Sequence, residues 1–476
     1  MTERAPKLIL IAGVVLGPLV LVFLAYSRPG YFTSGTYLGG LFLLELLAGA
    51  VWMYRRFFFP IVIVTFLLAG IDLPVGSVWT MARWVILGVG ALVGTIIALK
   101  DRRYNFGMFH VLALFAVLAA LVSAAVSRYT TLSLLKVLSL SLLFVYAGTG
   151  VRAAVMGREN RFFAGLLTGC EVFVGAIAVF YLAGIEVMGN PNSLGAVMGV
   201  VGTPILLWGI LVSDSPFVHH RRVALYAIAM YLTFASHARA GMAAAFLSCG
   251  LLCLALRRYR LLMQGIVIIS ILVAADAILQ PEAFSRTVSS LTSTVIYKSK
   301  DPGDGFLASR RNPWQNAVEA IHNHFWFGTG FGTSDNVQDI AAKLGNFSTF
   351  SAVSAEHGSS YLAVTTWVGM LGVLPFLALL LVLVKKVVQS VAWMLKTHNP
   401  LHPAVPLAMV MVAGMIHAGL EDWLFAPGYY LCVFYWSLAF IFVDHAPCPA
   451  LVDSSRAIFW RARNMRPHLV DVAPGR

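Results

Sequence analysis

The sequence predicts an all-α polytopic membrane protein with about 12–14 transmembrane helices. Three observations predict it. Hydrophobic residues make up 59% of the 476 residues and charged residues only 12%, about half the charge density of a soluble chain of this size; the mean hydropathy is +0.81. Apolar runs near or above ~18 residues, the length a helix needs to cross a bilayer, recur from end to end. The Lys and Arg residues, which raise the net charge to +13, sit in short clusters between those runs. Such clusters are cytoplasmic anchors and do not form the continuous basic face of a nucleic-acid binder.

The elements follow in order. Leu8–Tyr26 is long enough to span and lacks a small-residue cleavage site, so it reads as a first transmembrane helix and not as a cleaved signal. The remaining apolar runs are 36–54, 57–72, 82–99, 106–126, 131–150, 162–183, 194–213, 223–236, 240–256, 261–279, 359–384, 404–420 and 429–443. The third is ambiguous and the ninth short, hence the lower count. This divides the chain into a bundle (1–279), a large polar loop with short helices (280–357), three further spans (358–445) and a basic tail (446–476). Neither an internal repeat nor a low-complexity linker interrupts it.

Charge sets the sidedness. With the N-terminus in the cytoplasm, the inner loops and tail collect about twenty-three Lys and Arg residues, while the short outer loops hold Arg28, Arg83, Arg128 and Arg239. The positive-inside rule therefore puts both termini in the cytoplasm. That assignment sends Asn190-Pro191-Asn192, Ser236–Arg239, the large polar loop and Glu421-Asp422-Trp423 to the outer face together.

Glu45, His110, Lys136, Glu171, Asp276 and His417 fall within spans, where a charge needs a partner or a cavity. Lys136 and Glu171, on neighbouring antiparallel spans, are expected to form a structural ion pair. Cys249 and Cys253 share a helix face, but with no His or carboxylate beside them they read as small packing residues. The large loop has no cysteine, so no disulfide staples it.

The outer residues offer a definite chemistry. His357 stands where the twelfth span begins, and an imidazole titrating near neutrality suits removal of a proton from a sugar hydroxyl. Glu356 either orients it, accepts a sugar hydroxyl or faces water. Arg239 either snorkels to lipid phosphate or clamps a diphosphate, since a guanidinium forks onto phosphate oxygens and keeps its charge. Arg310 and Arg311 precede Asn312-Pro313-Trp314, from which Trp314, Ala317, Val318 and Ile321 mark an amphipathic helix lying on the membrane, with Pro313 in its first turn. One of the two arginines then points into a site at the helix start. Asn190 and Asn192 either cap the eighth span or bind sugar hydroxyls; Glu421 and Asp422 bind saccharide or are interfacial polarity. His322 and His324 lack the carboxylate pattern of a metal centre, and no metal is expected.

These stretches resemble a known family. Asn190-Pro191-Asn192-Ser193-Leu194, Ser236-His237-Ala238-Arg239-Ala240-Gly241, Trp314 with Phe327-Gly328-Thr329-Gly330-Phe331-Gly332, and His357 through Tyr361-Leu362 look like the ordered motifs of the O-antigen ligase / polysaccharide polymerase superfamily, over roughly residues 185–430. The resemblance implies a GT-C-like membrane glycosyltransferase of the bacterial inner membrane. It would work at the periplasmic face, without metal or cofactor, on a glycan carried by undecaprenyl diphosphate. Arg239 and one of Arg310 and Arg311 would hold the diphosphate, and His357 would activate the acceptor hydroxyl. The acceptor would be another lipid-linked glycan in a polymerase, or lipid A-core in a ligase. Glu356-His357 with Glu421 through Gly428 favour exopolysaccharide or O-antigen polymerisation, for which a chain-length regulator is a candidate partner. A transporter is the rival class, but transporters place paired polar groups at the midplane and carry repeats.

Overall fold

The computed structural model describes residues 45–70, 76–101, 104–185, 188, 190–265, 267, 308–333 and 357–447, with isolated residues 23, 26, 27 and 30. Most of the expected first span, Asp276, Glu356, Cys448 and the basic tail lie outside the described residues.

The described chain is helical, with no strand. Helices α1 (Tyr54–Gly70), α2 (Gly76–Lys100), α3 (Met108–Val126), α4 (Thr130–Val155) and α5 (Glu159–Leu182) are followed by α6 (Pro191–Leu211), α7 (Pro216–Ala235) and α8 (Arg239–Ala255). After the large loop's α9 (Ala308–Asn323) come α10 (Ser360–Thr397), α11 (Ala404–Ala418) and α12 (Tyr430–His445). Among the described residues six helices are long and apolar enough to cross a membrane, and α8, α11 and α12 are shorter apolar helices. Helix and apolar run coincide because an uninterrupted apolar stretch in lipid must satisfy its own backbone. Local signals trim the ends: Pro191 and Pro216 open α6 and α7 from their first turns, where the missing N–H costs nothing.

The bundle has two distinguishable ends. At one, Arg83 donates to the Gly428 carbonyl (2.8 Å), Ser127 Oγ donates to Thr329 O (2.9 Å) and Ser360 Oγ to Glu421 O (2.6 Å). At the other, Arg158 donates to Arg55 O (2.7 Å) and Trp208 Nε1 to Pro400 O (2.8 Å). Helix α5 runs from the second end to the first, about 36 Å at 1.5 Å per residue.

Buried charges are paired, but not as expected. Lys136 and Glu171 do not form the anticipated ion pair. Glu171 instead takes Arg222 Nε at 2.7 Å and Arg221 Nη2 at 2.5 Å. Helix α7 begins at Pro216, seven residues before the apolar run, so both arginines lie on the helix beside α5 and not in a cytoplasmic loop. Lys136 Nζ donates to the Gly332 carbonyl (2.5 Å). A second pair joins Arg152 to Asp444 at 2.5 Å, with His110 Nε2 3.2 Å from Arg152 Nη1. Glu171→Ala is expected to cost about 3–5 kcal/mol, because it strands the mostly buried Arg222 without a counter-charge. A lowered thermal midpoint of the detergent-purified protein checks this; an unchanged midpoint would show the pair to be dispensable.

The Gly-rich turn is not a surface feature. Residues 328–333 are buried and dock against a break in α10 at Gly369, whose φ is +67°. Thr329 N and Gly330 N donate to the carbonyls of Thr366 (3.0 Å) and Trp367 (3.1 Å), and Met370 N donates to Phe325 O (2.8 Å). A helix can break at membrane depth when freed backbone groups are re-satisfied in this way. Ser123, Ser127, Ser133 and Lys136 of the α3–α4 hairpin supply side-chain donors to the same strip. Phe331 fills the gap edge-on to Trp367 at 5.5 Å. A Cβ at Gly328, whose φ is +72°, would lie 2.3 Å from the Trp367 carbonyl oxygen. Gly328→Ala is therefore expected to destabilise by about 2–5 kcal/mol through strain and overpacking, seen as reduced thermal stability and membrane yield.

Candidate active site

Four chain segments meet at the end of the bundle that carries Ser360. The first is the start of α6. Asn190 Oδ1 accepts from Asn192 N (2.8 Å) and so caps the helix; Ser193 reaches the hydroxyls of Tyr429 and Tyr430. The second is the three-residue turn between α7 and α8, with His237 at φ +51°. Close glycine contacts press these two segments together. A Cβ at Gly195 would meet Ala238 Cβ at 2.3 Å and Ser236 Oγ at 2.4 Å, and one at Gly199 would meet the Gly241 carbonyl at 2.2 Å. Arg239, the first residue of α8, thereby lies within electrostatic reach of Arg310 and Glu421.

The third segment is α9. It starts at Ala308, so Arg310 and Arg311 lie in its first turn, not ahead of it, and Pro313 lies inside the helix. The two arginines part company there. Arg310 is 7% exposed and ion-pairs Glu421, whereas Arg311 is exposed. Helical spacing puts adjacent residues about 100° apart, and Ala317, 2% exposed, fixes the inward face. Thr366 Oγ1 donates to its carbonyl (3.5 Å), so α9 packs on α10 while Val318 stays exposed.

The fourth is the start of α10 with the α11–α12 loop. His357 is 4% exposed, its ring edge-on to Trp367 at 5.7 Å. Asp422 Oδ2 accepts from His357 N (3.0 Å) and stands 3.5 Å from His357 Nδ1. Burial pushes the Asp422 carboxyl up, but the imidazole and the backbone N–H of His357 more than offset this and hold it below the usual carboxylate range. Asp422 is then ionised at neutral pH, and it shields Nδ1 from water while leaving Nε2 for other work. Ser360 clamps the loop, its N–H and Oγ both donating to Glu421 O (3.0 and 2.6 Å) and its Oγ accepting from Leu424 N (3.0 Å). Trp314 Nε1 donates to Gly358 O (3.2 Å). Gly358 adopts φ +65°, and a Cβ there would press on Arg310 Cδ and the Trp314 indole at 3.2 Å. Glycine suits both the left-handed backbone and the close approach of α9 to this turn.

Residues 224–377 match the family model described as O-antigen ligase. This stretch, about a third of the chain, is similar to the O-antigen ligase / polymerase superfamily. No curated protein matches it. The O-antigen ligase stretch contributes Arg239, Arg310 and His357 to the cluster; Asn190, Asn192, Glu421 and Asp422 come from outside it. Helices of the matched segment and of the flanking bundle therefore build the candidate site jointly.

Of the residues singled out in the sequence, Arg239, Arg310, His357, Glu421 and Asp422 come together. Arg311 is turned outward, as are His322 and His324, and Asn190 spends its side-chain oxygen on a helix cap. Ser360, Trp367 and Tyr429 were not singled out. Their signal is weak in sequence, because a Ser at a helix start and aromatic residues in apolar runs are the commonest of features.

Proposed function

We propose that this protein is a glycosyltransferase that polymerises lipid-linked repeat units at the extracytoplasmic face of the bacterial inner membrane. The donor is a glycan on undecaprenyl diphosphate, and the acceptor is a sugar hydroxyl of a second lipid-linked glycan. One observation carries this reading: two guanidiniums and a buried imidazole, all on the segment that matches the O-antigen ligase family model, meet the Asp422 carboxylate at one end of a membrane bundle.

Each group has a task. Arg239 and Arg310 bind the diphosphate and take up the charge that develops on it as the bond to the anomeric carbon breaks. Glu421 holds Arg310 in place before substrate arrives. His357 Nε2 removes the proton from the acceptor hydroxyl, whose oxygen attacks the anomeric carbon in line with the departing undecaprenyl diphosphate. Asp422 orients the ring and stabilises the imidazolium that forms. The two arginines provide the positive charge that a divalent cation supplies in other phosphate-leaving reactions.

The second reading is a ligase with lipid A-core as acceptor; the matching family model is described as O-antigen ligase. Proteoliposomes separate the readings. A ladder of lengthened glycans from lipid-linked repeat units alone supports polymerase; transfer only after lipid A-core is added supports ligase. No consumption of donor with either acceptor overturns both.

A further inference from the structure

A second cationic site lies at the other end of the bundle. The start of α1 and the loop between α4 and α5 enclose a cavity of about 1030 Å³, lined by Trp52, Met53, Arg55, Arg56, Arg158 and Arg161 among others. It is on the side where α5 begins, a membrane thickness from His357.

The arginines here contrast with the carboxylate-paired arginines of the bundle and of the candidate active site. Arg152, Arg221, Arg222 and Arg310 each face a carboxylate. Among the described residues none of Arg55, Arg56, Arg158 and Arg161 is in an ion pair. The cavity's one carboxylate, Glu159, turns its Oε1 to the N–H of Gly157 (3.0 Å). Arg158 is anchored in the wall by its bond to the Arg55 carbonyl, so its guanidinium is held among like charges and not left to spread into water. Burial, then the charges of Arg56, Arg161 and Arg55, lower its pKa. Four arginines thus line one concavity and carry its positive charge. Asn160 adds polar lining, while Trp52 and Met53 add an apolar wall. A basic pocket between transmembrane helices with one apolar side fits a phosphate joined to an apolar body, and guanidiniums fork onto phosphate oxygens.

We propose that this cavity is a phosphate-binding site, separate from the transfer site, that takes a phosphate-bearing ligand from the opposite face of the membrane. The phosphate belongs either to an anionic lipid headgroup or to a soluble phosphate compound, and the experiment distinguishes the two.

Full-length protein is placed in nanodiscs of phosphatidylcholine with or without phosphatidylglycerol, and retained lipid is measured by native mass spectrometry. In parallel, inorganic pyrophosphate is titrated into the phosphatidylcholine sample. Preferential, saturable retention of phosphatidylglycerol assigns a headgroup; saturable pyrophosphate binding assigns a soluble ligand. Both are measured in an Arg310→Ala background, which removes a guanidinium of the other site. At about a factor of five per surface guanidinium, Arg161→Gln is expected to weaken binding roughly fivefold. The triple variant R55Q/R158Q/R161Q is expected to weaken it roughly a hundredfold. Arg161 is exposed and holds up no other element, so the single variant remains informative if the triple one fails to fold. Neither probe binding saturably, or binding unchanged in Arg161→Gln, overturns the proposal.

Discussion

Replacing His357 with alanine is expected to lower glycan transfer by about 10²–10⁴-fold, the range that a positioned general base contributes, while lipid-linked repeat units accumulate. The ring touches Trp367 and Asp422, so its loss also opens a small cavity. Membrane yield and thermal midpoint separate the two effects, because a packing defect lowers both and a lost base lowers neither much. Asp422→Asn offers a sharper test. It keeps the size of the side chain but removes the charge 3.5 Å from the imidazole, and is expected to cut the rate and shift the pH–rate profile together. Product at wild-type level from His357→Ala would remove the residue from the mechanism.

Arg310→Ala is expected to be nearly as damaging, about 10²–10³-fold, the loss seen when one preorganised donor to a developing anion is removed. Arg310→Lys restores the charge but not the planar fork, so only partial recovery is expected. Arg311→Ala serves as the internal control: its side chain is exposed, about 100° round the helix from Arg310, and activity should stay close to wild type. Equal losses at the two positions would mean that α9 presents a general basic surface and not a specific clamp. The partner carboxylate Glu421 is 20% exposed, so it can be hydrated when Arg310 is gone, and the variant is expected to fold.

Much of the fold is legible in the sequence because lipid makes the code simple. An apolar run must be a helix in a bilayer, and the runs at 106–126, 404–420 and 429–443 lie within a few residues of α3, α11 and α12. Where polar residues extend a helix the code fails. Helix α7 begins at Pro216, α9 at Ala308, and α10 continues to Thr397. The unexpected partners of Glu171 follow from the first of these, since the polar start of α7 brings Arg221 and Arg222 onto a helix beside α5. Lys136 departs from the expected pairing for another reason. Its acceptor is a backbone carbonyl of the Gly-rich turn, and backbone partners leave no trace in side-chain patterns. The same holds for His357, whose entitlement to catalysis rests on Asp422, sixty-five positions away. Adjacent charge suggested Glu356, which lies outside the described residues. Arg83, read as an outer-loop charge, is buried in α2 over Trp84 at 5.1 Å and holds the loop bearing Glu421 and Asp422 through Gly428.

The most direct test is a structure of the protein in nanodiscs with an undecaprenyl-diphosphate-linked sugar bound. The expected result is a diphosphate held by Arg239 and Arg310, with the anomeric carbon facing His357 Nε2 across a space that admits one sugar hydroxyl. A diphosphate bound elsewhere, with Arg310 still closed on Glu421 and His357 sealed behind Trp367, would contradict it.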